Sequence, residues 1–271
     1  MGLNGYRAAA KARIDAELKA RIGQWFPTLP APHREALHGI LAEGKRLRGS
    51  LTCLVAEALG GTLEQALPAA FAVEVIQAAS LVHDDFVDGD IMRRGRPAAW
   101  TLLSAQRAVL LADLMFATAI EKMAQVGGRE AETLAHAIAA MAQGAFQESL
   151  GIGKVHDSEG YHSIIHLKTG SLFAAAARLG ALAAGAHERT VEAATKFGAF
   201  TGEVYQIADD LADGTGIGAP KLLQARIAPL VEQARSALAA FPENERTQML
   251  ADMPGELALI YGLTRSRNRT R

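Results

Sequence analysis

The chain has 271 residues and a single cysteine, Cys53. One thiol excludes a disulfide framework and a cysteine-built zinc site. It makes a reducing compartment, the cytosol, the expected setting. Aromatic residues are scarce, at 6%, and β-branched residues do not cluster. No apolar/polar alternation runs between Asn-Gly or Asp-Gly turns, so a sheet architecture is not expected. Charge of one sign is missing too: the net charge is -1 and the isoelectric point about 6.7. That balance argues against a nucleic-acid or membrane footprint over the whole molecule. Apolar stretches are interrupted by charge, by Arg107 and Asp113 in one and Arg178 in another, so none is expected to span a bilayer. The opening MGLNGYRAAAKARIDAELK puts charges where a signal peptide has its apolar run. Tyr6 stands where a myristoylation pattern wants Ser or Thr.

What is present is a large apolar fraction, 49% against 21% charged. A sizeable core follows, and disorder does not. Alanine and leucine dominate, which over long windows favours helix. Apolar residues recur at three- and four-residue spacing, as in Leu51, Leu54, Val55 and Leu59, or Leu167, Leu172 and Leu179. Breakers cut this pattern into helical pieces. Pro27 to Pro32, Gly60-Gly61, Gly95 to Pro97, Gly127-Gly128, Gly151 to Gly160, Gly180 to His187 and Gly214 to Pro220 are the expected loops. Pro242 and Pro254 punctuate the C-terminal part, and Thr62 and Thr190 are candidate N-caps. The economical reading is one all-α unit over residues 1–271. Its tail, Arg265 to Arg271 with four arginines, reads as a solvated terminus.

Two segments carry the chemistry: Asp84-Asp85-Phe86-Val87-Asp88 and Asp209-Asp210-Leu211-Ala212-Asp213. Both read D-D-x-x-D inside apolar helices. At helical spacing Asp84 projects beside Asp88, and Asp209 beside Asp213. Stacked carboxylates in apolar surroundings repel unless a cation lies between them. Oxygen ligands of this kind suit Mg²⁺, which in turn favours a phosphate partner. One such cluster is an ordinary solvated helix face; two are harder to explain that way. Basic residues complete a diphosphate site: Lys45-Arg46-Leu47-Arg48 after Gly44, Arg93-Arg94 after the first acidic motif, and Lys168-Thr169.

With these residues in place, the chain resembles the trans-isoprenyl diphosphate synthases. Gly44 to Arg48 resembles their G-K-R-x-R motif. SLVHDDFVDGDIMRRGRP (residues 80–97) resembles their first aspartate-rich motif. Tyr161 to Ala181 resembles their Y-x-x-I-x-x-K-T-x-x-L-F segment. FGAFTGEVYQIADDLAD (197–213) resembles their second aspartate-rich signature. The likeness covers roughly residues 40–214. It implies a helical bundle around a central cavity, normally a homodimer, that condenses isopentenyl diphosphate with an allylic prenyl diphosphate. It further implies that Asp84, Asp85, Asp88, Asp209, Asp210 and Asp213 hold Mg²⁺, three ions per site. By the same likeness Arg93 and Lys168 neutralise the allylic diphosphate. Lys45, Arg48, Gln77 and Arg94 bind that of isopentenyl diphosphate, and Thr169 and Gln206 stabilise the carbocation.

Small residues before the first motif, Ala79 and Ser80, leave room for a product of C20 or longer. Ile76 lies deeper, and Met115 and Phe116 are candidates for a floor. The chain departs from the family after Asp213: the stretch GTGIGAPKLLQARIAPL runs almost directly into a helix, with Lys221 the available replacement for a loop lysine. Two other readings stay open: a class I terpene cyclase on the same fold, and a non-catalytic regulatory subunit of a heteromeric synthase. His162 and His166 have metal-ligand spacing but no acidic neighbour in sequence, and read as a surface helix. His83 reads as a packing neighbour of the motif, Cys53 as core, and Trp25 and Trp100 as packing anchors.

Overall fold

The computed structural model describes residues 2–42, 44–93, 95–151, 158–214 and 220–264. The helices run in chain order as α1 (Leu3–Trp25), α2 (Ala31–Ala42), α3 (Leu47–Ala58), α4 (Leu63–Asp88), α5 (Ala99–Leu103), α6 (Ala105–Val126), α7 (Gly128–Ser149) and α8 (Ser158–Ile165). They continue as α9 (Ser171–Ala183), α10 (Glu188–Asp213), α11 (Pro220–Ala237) and α12 (Glu245–Thr264). The all-α expectation holds. One exception is a small antiparallel pair, Met92–Arg93 with Arg96–Pro97, closing the turn after α4.

Local rules explain most boundaries. Thr62 caps α4 through a capping box, its hydroxyl accepting from Gln65 N–H while the Gln65 side chain accepts from Thr62 N–H. Thr190 caps nothing: α10 begins at Glu188, with His187 in the extended cap position. Pro254 lies inside α12 and does not end it. Gly180 is likewise interior to α9, where it serves close packing.

Helix α9, rich in alanine, sits against α10, α3, α4 and α7. Phe71, Phe173 and Phe197 are fully buried there. Trp25 packs edge-on to Phe71 with ring centroids 4.1 Å apart, as a packing anchor should. Cys53 is buried in the same core, and burial pushes its thiol up to about 12. Helix α4 is long and apolar enough to cross a membrane by length and composition alone. It is instead the central core helix, with 72% of its most apolar window buried.

Candidate active site

Helices α4 and α10 are both 26 residues long, and each ends with the third aspartate of its acidic motif. Gly89 (φ 72°) and Gly214 (φ 67°) then turn left-handed and close the two helices. The aspartates therefore occupy the last turn, where exposed carbonyls already gather negative charge. Neither last turn carries a basic residue. Each motif is thus an electrostatic deficit that a cation relieves.

Both motifs open onto one cavity of about 1570 Å³, larger than the ~300–1,000 Å³ of ordinary small-ligand sites. Asp84, Asp85, Asp209 and Asp210 line it, with Lys45, Arg48, Gln77, Arg93, Lys168, Thr169 and Gln206. Asp88 is exposed, and neither it nor Asp213 is in the lining. Arg94 falls outside the described residues. Burial holds Asp84 above the usual carboxylate range; Asp88 adds to the shift, while Lys168 and Arg93 oppose it. Asp88 is raised for the same reason. Asp85 is buried and gripped by Arg93, whose Nε donates over 2.5 Å and whose Nη2 also reaches it.

On the other wall a chain of hydrogen bonds fixes Asp210. Thr169 Oγ1 donates to Gln206 Oε1 (2.7 Å), and Gln206 Nε2 donates to Asp210 Oδ1 (2.8 Å). The Tyr161 hydroxyl donates to Oδ2 (2.7 Å). Burial still raises Asp210, against these two bonds. Lys168 and Thr169 stand on a π-turn, His166–Gly170, inserted between α8 and α9. Such single-turn π segments are frequent at functional sites. Lys168 pairs with Glu148 of α7. Burial works against its charge, but Glu148, Asp84 and Asp88 outweigh that and raise it.

The basic segment before α3 divides its labour. Arg46, left-handed at φ 51°, is buried and bonds Asp15 (2.7 Å) and the Leu41 carbonyl, with Glu74 at 3.5 Å. Arg48 lies over the Phe173 ring, 4.4 Å from its centre. Burial lowers Arg48 despite Tyr205 and Glu74.

The chain-length candidates separate. Ser80 and Phe116 line the cavity, whereas Ile76, Ala79 and Met115 are fully buried in the core and do not. Helical phase gives the reason: Ala79 lies about 140° round the axis from Asp84, Ser80 about 40°. Phe116 also packs on His83, ring centroids 5.5 Å apart, beside the acidic motif. Ile138 and Met141 of α7 line the apolar wall. Tyr161 and Glu148 are site residues to which the sequence reading gave no role. The tyrosine was in view in its motif, but the glutamate signals itself only through its neighbours in space. Lys221 is exposed in the first turn of α11, away from the cavity lining. Trp100 donates Nε1–H to the Asp90 carbonyl (2.8 Å), steadying the turn after the first motif.

Among the described residues no three His, Cys, Asp or Glu side chains converge closely enough to cage a metal. Mg²⁺ does not require a cage: it keeps waters and is held by one or two carboxylates together with substrate phosphates. Raised, underneutralised carboxylates on two walls of one cavity fit that mode.

A fold of this kind with paired aspartate motifs defines a trans-prenyltransferase. Residues 31–221 match the polyprenyl synthetase family, and the chain belongs to it. It is 36% identical to heptaprenyl diphosphate synthase component 2 of Geobacillus stearothermophilus over 256 residues, covering 89% of this chain and 79% of that one. It is 35% identical to geranylgeranyl diphosphate synthase of Methanosarcina mazei over 182 residues, 64% of this chain and 56% of that one. The crystal structure of a decaprenyl diphosphate synthase from Rhodobacter capsulatus superposes with a TM-score of 0.82 at 28% identity, covering 94% of this chain and 98% of that one. A polyprenyl synthase from Caulobacter crescentus, complexed with calcium and isoprenyl diphosphate, gives 0.83 at 26% identity, covering 95% and 97%.

Proposed function

We propose that the protein condenses isopentenyl diphosphate head to tail with an allylic prenyl diphosphate, in a Mg²⁺-dependent reaction giving an all-trans product of C20 or longer. The observation that carries this reading is the pair of acidic helix ends on one cavity with Lys168 beside the first. Asp84, Asp85 and Asp88 on one wall, with Asp209, Asp210 and Asp213 on the other, would hold three Mg²⁺. Bound there, the ions supply electrophilic assistance to diphosphate departure.

The chain's own groups do the rest. Lys168 and Arg93 bind the allylic diphosphate, Lys168 by exchanging Glu148 for phosphate oxygens. The allylic C–O bond breaks, and its electron pair leaves with the diphosphate. Lys45, Arg48, Gln77 and Arg94 hold the diphosphate of isopentenyl diphosphate so that its double bond attacks the cation. A proton then passes to the released diphosphate. Thr169 spends its hydroxyl hydrogen on Gln206, leaving oxygen lone pairs for the cation. Ile138, Met141 and Phe116 exclude water.

The test is incubation with Mg²⁺, isopentenyl diphosphate and separate C5, C10, C15 and C20 allylic diphosphates, with product masses recorded. Elongated products support the reading; hydrocarbon from an allylic substrate alone indicates a cyclase. Ser80→Phe is expected to shorten the product, because its ring enters the cavity. An unchanged product length removes Ser80 as a determinant. Mg²⁺ with inorganic pyrophosphate is expected to raise Tm. Binding at 100 times Kd stabilises by about 2.7 kcal/mol, and chelation should reverse the shift.

Exposed Leu110 and Leu114 share one face of α6, with Leu102 exposed on the neighbouring α5, and support a homodimer. The single buried cysteine supports the cytoplasm. A second reading, a subunit of a heteromeric synthase, is favoured by the brevity of the connection after Gly214, since α11 starts at Pro220. It predicts no turnover until a partner chain is added.

A further inference from the structure

One buried carboxylate takes no part in this chemistry. Glu203 of α10 is 2% exposed, and an ionised carboxylate in such a place is costly unless compensated. Its compensation comes from two histidines. His166 Nδ1 stands 2.7 Å from Glu203 Oε1, and His162 Nδ1 stands 3.7 Å from Oε2. Glu203 Oε2 and His162 Nδ1 are both buried atoms without a hydrogen bond. The histidines are four residues apart and so share a helix face. That face is turned away from the one bearing Tyr161, Ile165 and Lys168, which line the cavity. The acidic neighbour absent in sequence is supplied from 37 residues away.

His166 opens the π-turn that carries Lys168 and Thr169. Two contacts tie that turn to α10. Glu203 holds His166 on the outer side, and Gln206, three residues on, holds Thr169 on the cavity side. A π segment keeps its extra residue only where its surroundings hold it.

We propose that Glu203, His166 and His162 form a positioning clamp that sets Lys168 and Thr169 for catalysis and keeps its ion pair only while His166 is protonated. This rests on the reading of Lys168 and Thr169 as substrate contacts. The hydrogen bond to Glu203 raises His166 above the ordinary histidine value, burial opposes the shift, and the charge of Glu203 adds to it. The ion pair is therefore complete below the ordinary value near 6.5. It is lost as pH rises through the higher one. Other charges around the turn are engaged elsewhere. Glu148 of α7 pairs with Lys168, and Arg178 of α9 with Glu188. On α10, Asp209 and Asp210 line the cavity, and Lys196 stands two turns before Glu203, about 10 Å along the axis. On α8, Glu159 lies one turn before His162.

The experiment reads protonation and turnover separately. Imidazole resonances are titrated by NMR in the wild type and Glu203→Gln. In parallel, kcat/KM for the allylic substrate is profiled against pH for both and for His166→Gln. Wild-type kcat/KM should fall about tenfold through the His166 titration, a modest loss beside the ~10²-fold cost of a 1 Å misplacement. Neither glutamine variant can form the ion pair, so both should lose the alkaline limb at the wild-type His166 midpoint. In Glu203→Gln, His166 should return toward its ordinary value. An alkaline limb with the same midpoint in all three proteins overturns the clamp, as does a wild-type His166 that titrates normally. Absence of turnover in every protein defeats the substrate reading instead. The clamp is then judged by calorimetric binding of magnesium pyrophosphate, whose affinity must follow the His166 titration in the wild type alone.

Discussion

Asp84→Asn and Asp209→Asn are each expected to lower kcat by about 10³-fold or more, on the scale of losing a preorganised electrostatic group in a dry site. Asparagine keeps the shape and the hydrogen-bonding capacity but removes the charge. The fold should not suffer. Each aspartate lies in the last turn of its helix, next to a second acid and at the negative end of the helix dipole. Asp84 is moreover held above the normal carboxylate range by burial. A group in that state opposes folding when ionised, so Asp84→Asn should melt at the wild-type temperature or above it. Asp85→Asn should behave otherwise. Asp85 is buried and bound to Arg93, so its loss leaves a guanidinium without its main partner and should lower Tm. Steady-state kinetics with thermal melts on the three variants separates the cases. Activity within tenfold of wild type for Asp84→Asn or Asp209→Asn removes that residue from the catalytic set.

These expectations also mark how far the sequence could be read. The helical architecture was legible because apolar spacing and breakers are local signals. The capping box at Thr62 and the acidic motifs were legible for the same reason. Features that depend on tertiary neighbours were not. Glu203 is one acid among many in the sequence and acquires meaning only when α8 and the π-turn bring His162 and His166 to it. Glu148 is recognisable only by its contact with Lys168. The π-turn has no periodic signature, since five residues that could continue an α-helix are pulled out of register by contacts to α10. Ala79 was misplaced by phase: a residue five before Asp84 overshoots one turn of 3.6 and lands on the core side.

Gly180, expected to open a loop, lies inside α9 for a related reason, and Gly180→Ala and Gly198→Ala carry the second large expected effect. Glycine inside a helical pattern reads as a break, but both residues lie mid-helix at points where backbones meet. A Cβ on Gly180 would stand 2.3 Å from the Thr52 carbonyl oxygen of α3. One on Gly198 would stand 2.3 Å from the Phe173 carbonyl oxygen and 2.9 Å from the Ala174 Cα, both in α9. The obstruction is backbone, so no rotamer change relieves it, and the helices must separate. A cost of about 3 kcal/mol each follows from overpacking, or a Tm lower by roughly 2–4 °C per kcal/mol. Gly39 of α2 has nothing within 4 Å of its Cβ position. There Gly39→Ala should stabilise by about 0.5–1 kcal/mol, the ordinary helix preference. The sign change between these sites, measured by denaturant melts, isolates close approach from propensity. If all three alanine variants are stabilised, the packing of α9 against α3 and α10 is looser than described. Helix α9 continues directly from the π-turn, so displacing it should also cost activity. Gly180→Ala, pushing α9 off α3, and Gly198→Ala, pressing from α10 onto α9, should both lower kcat by more than their melting temperatures alone explain, because Lys168 and Thr169 sit on the π-turn that runs into the helix that moves.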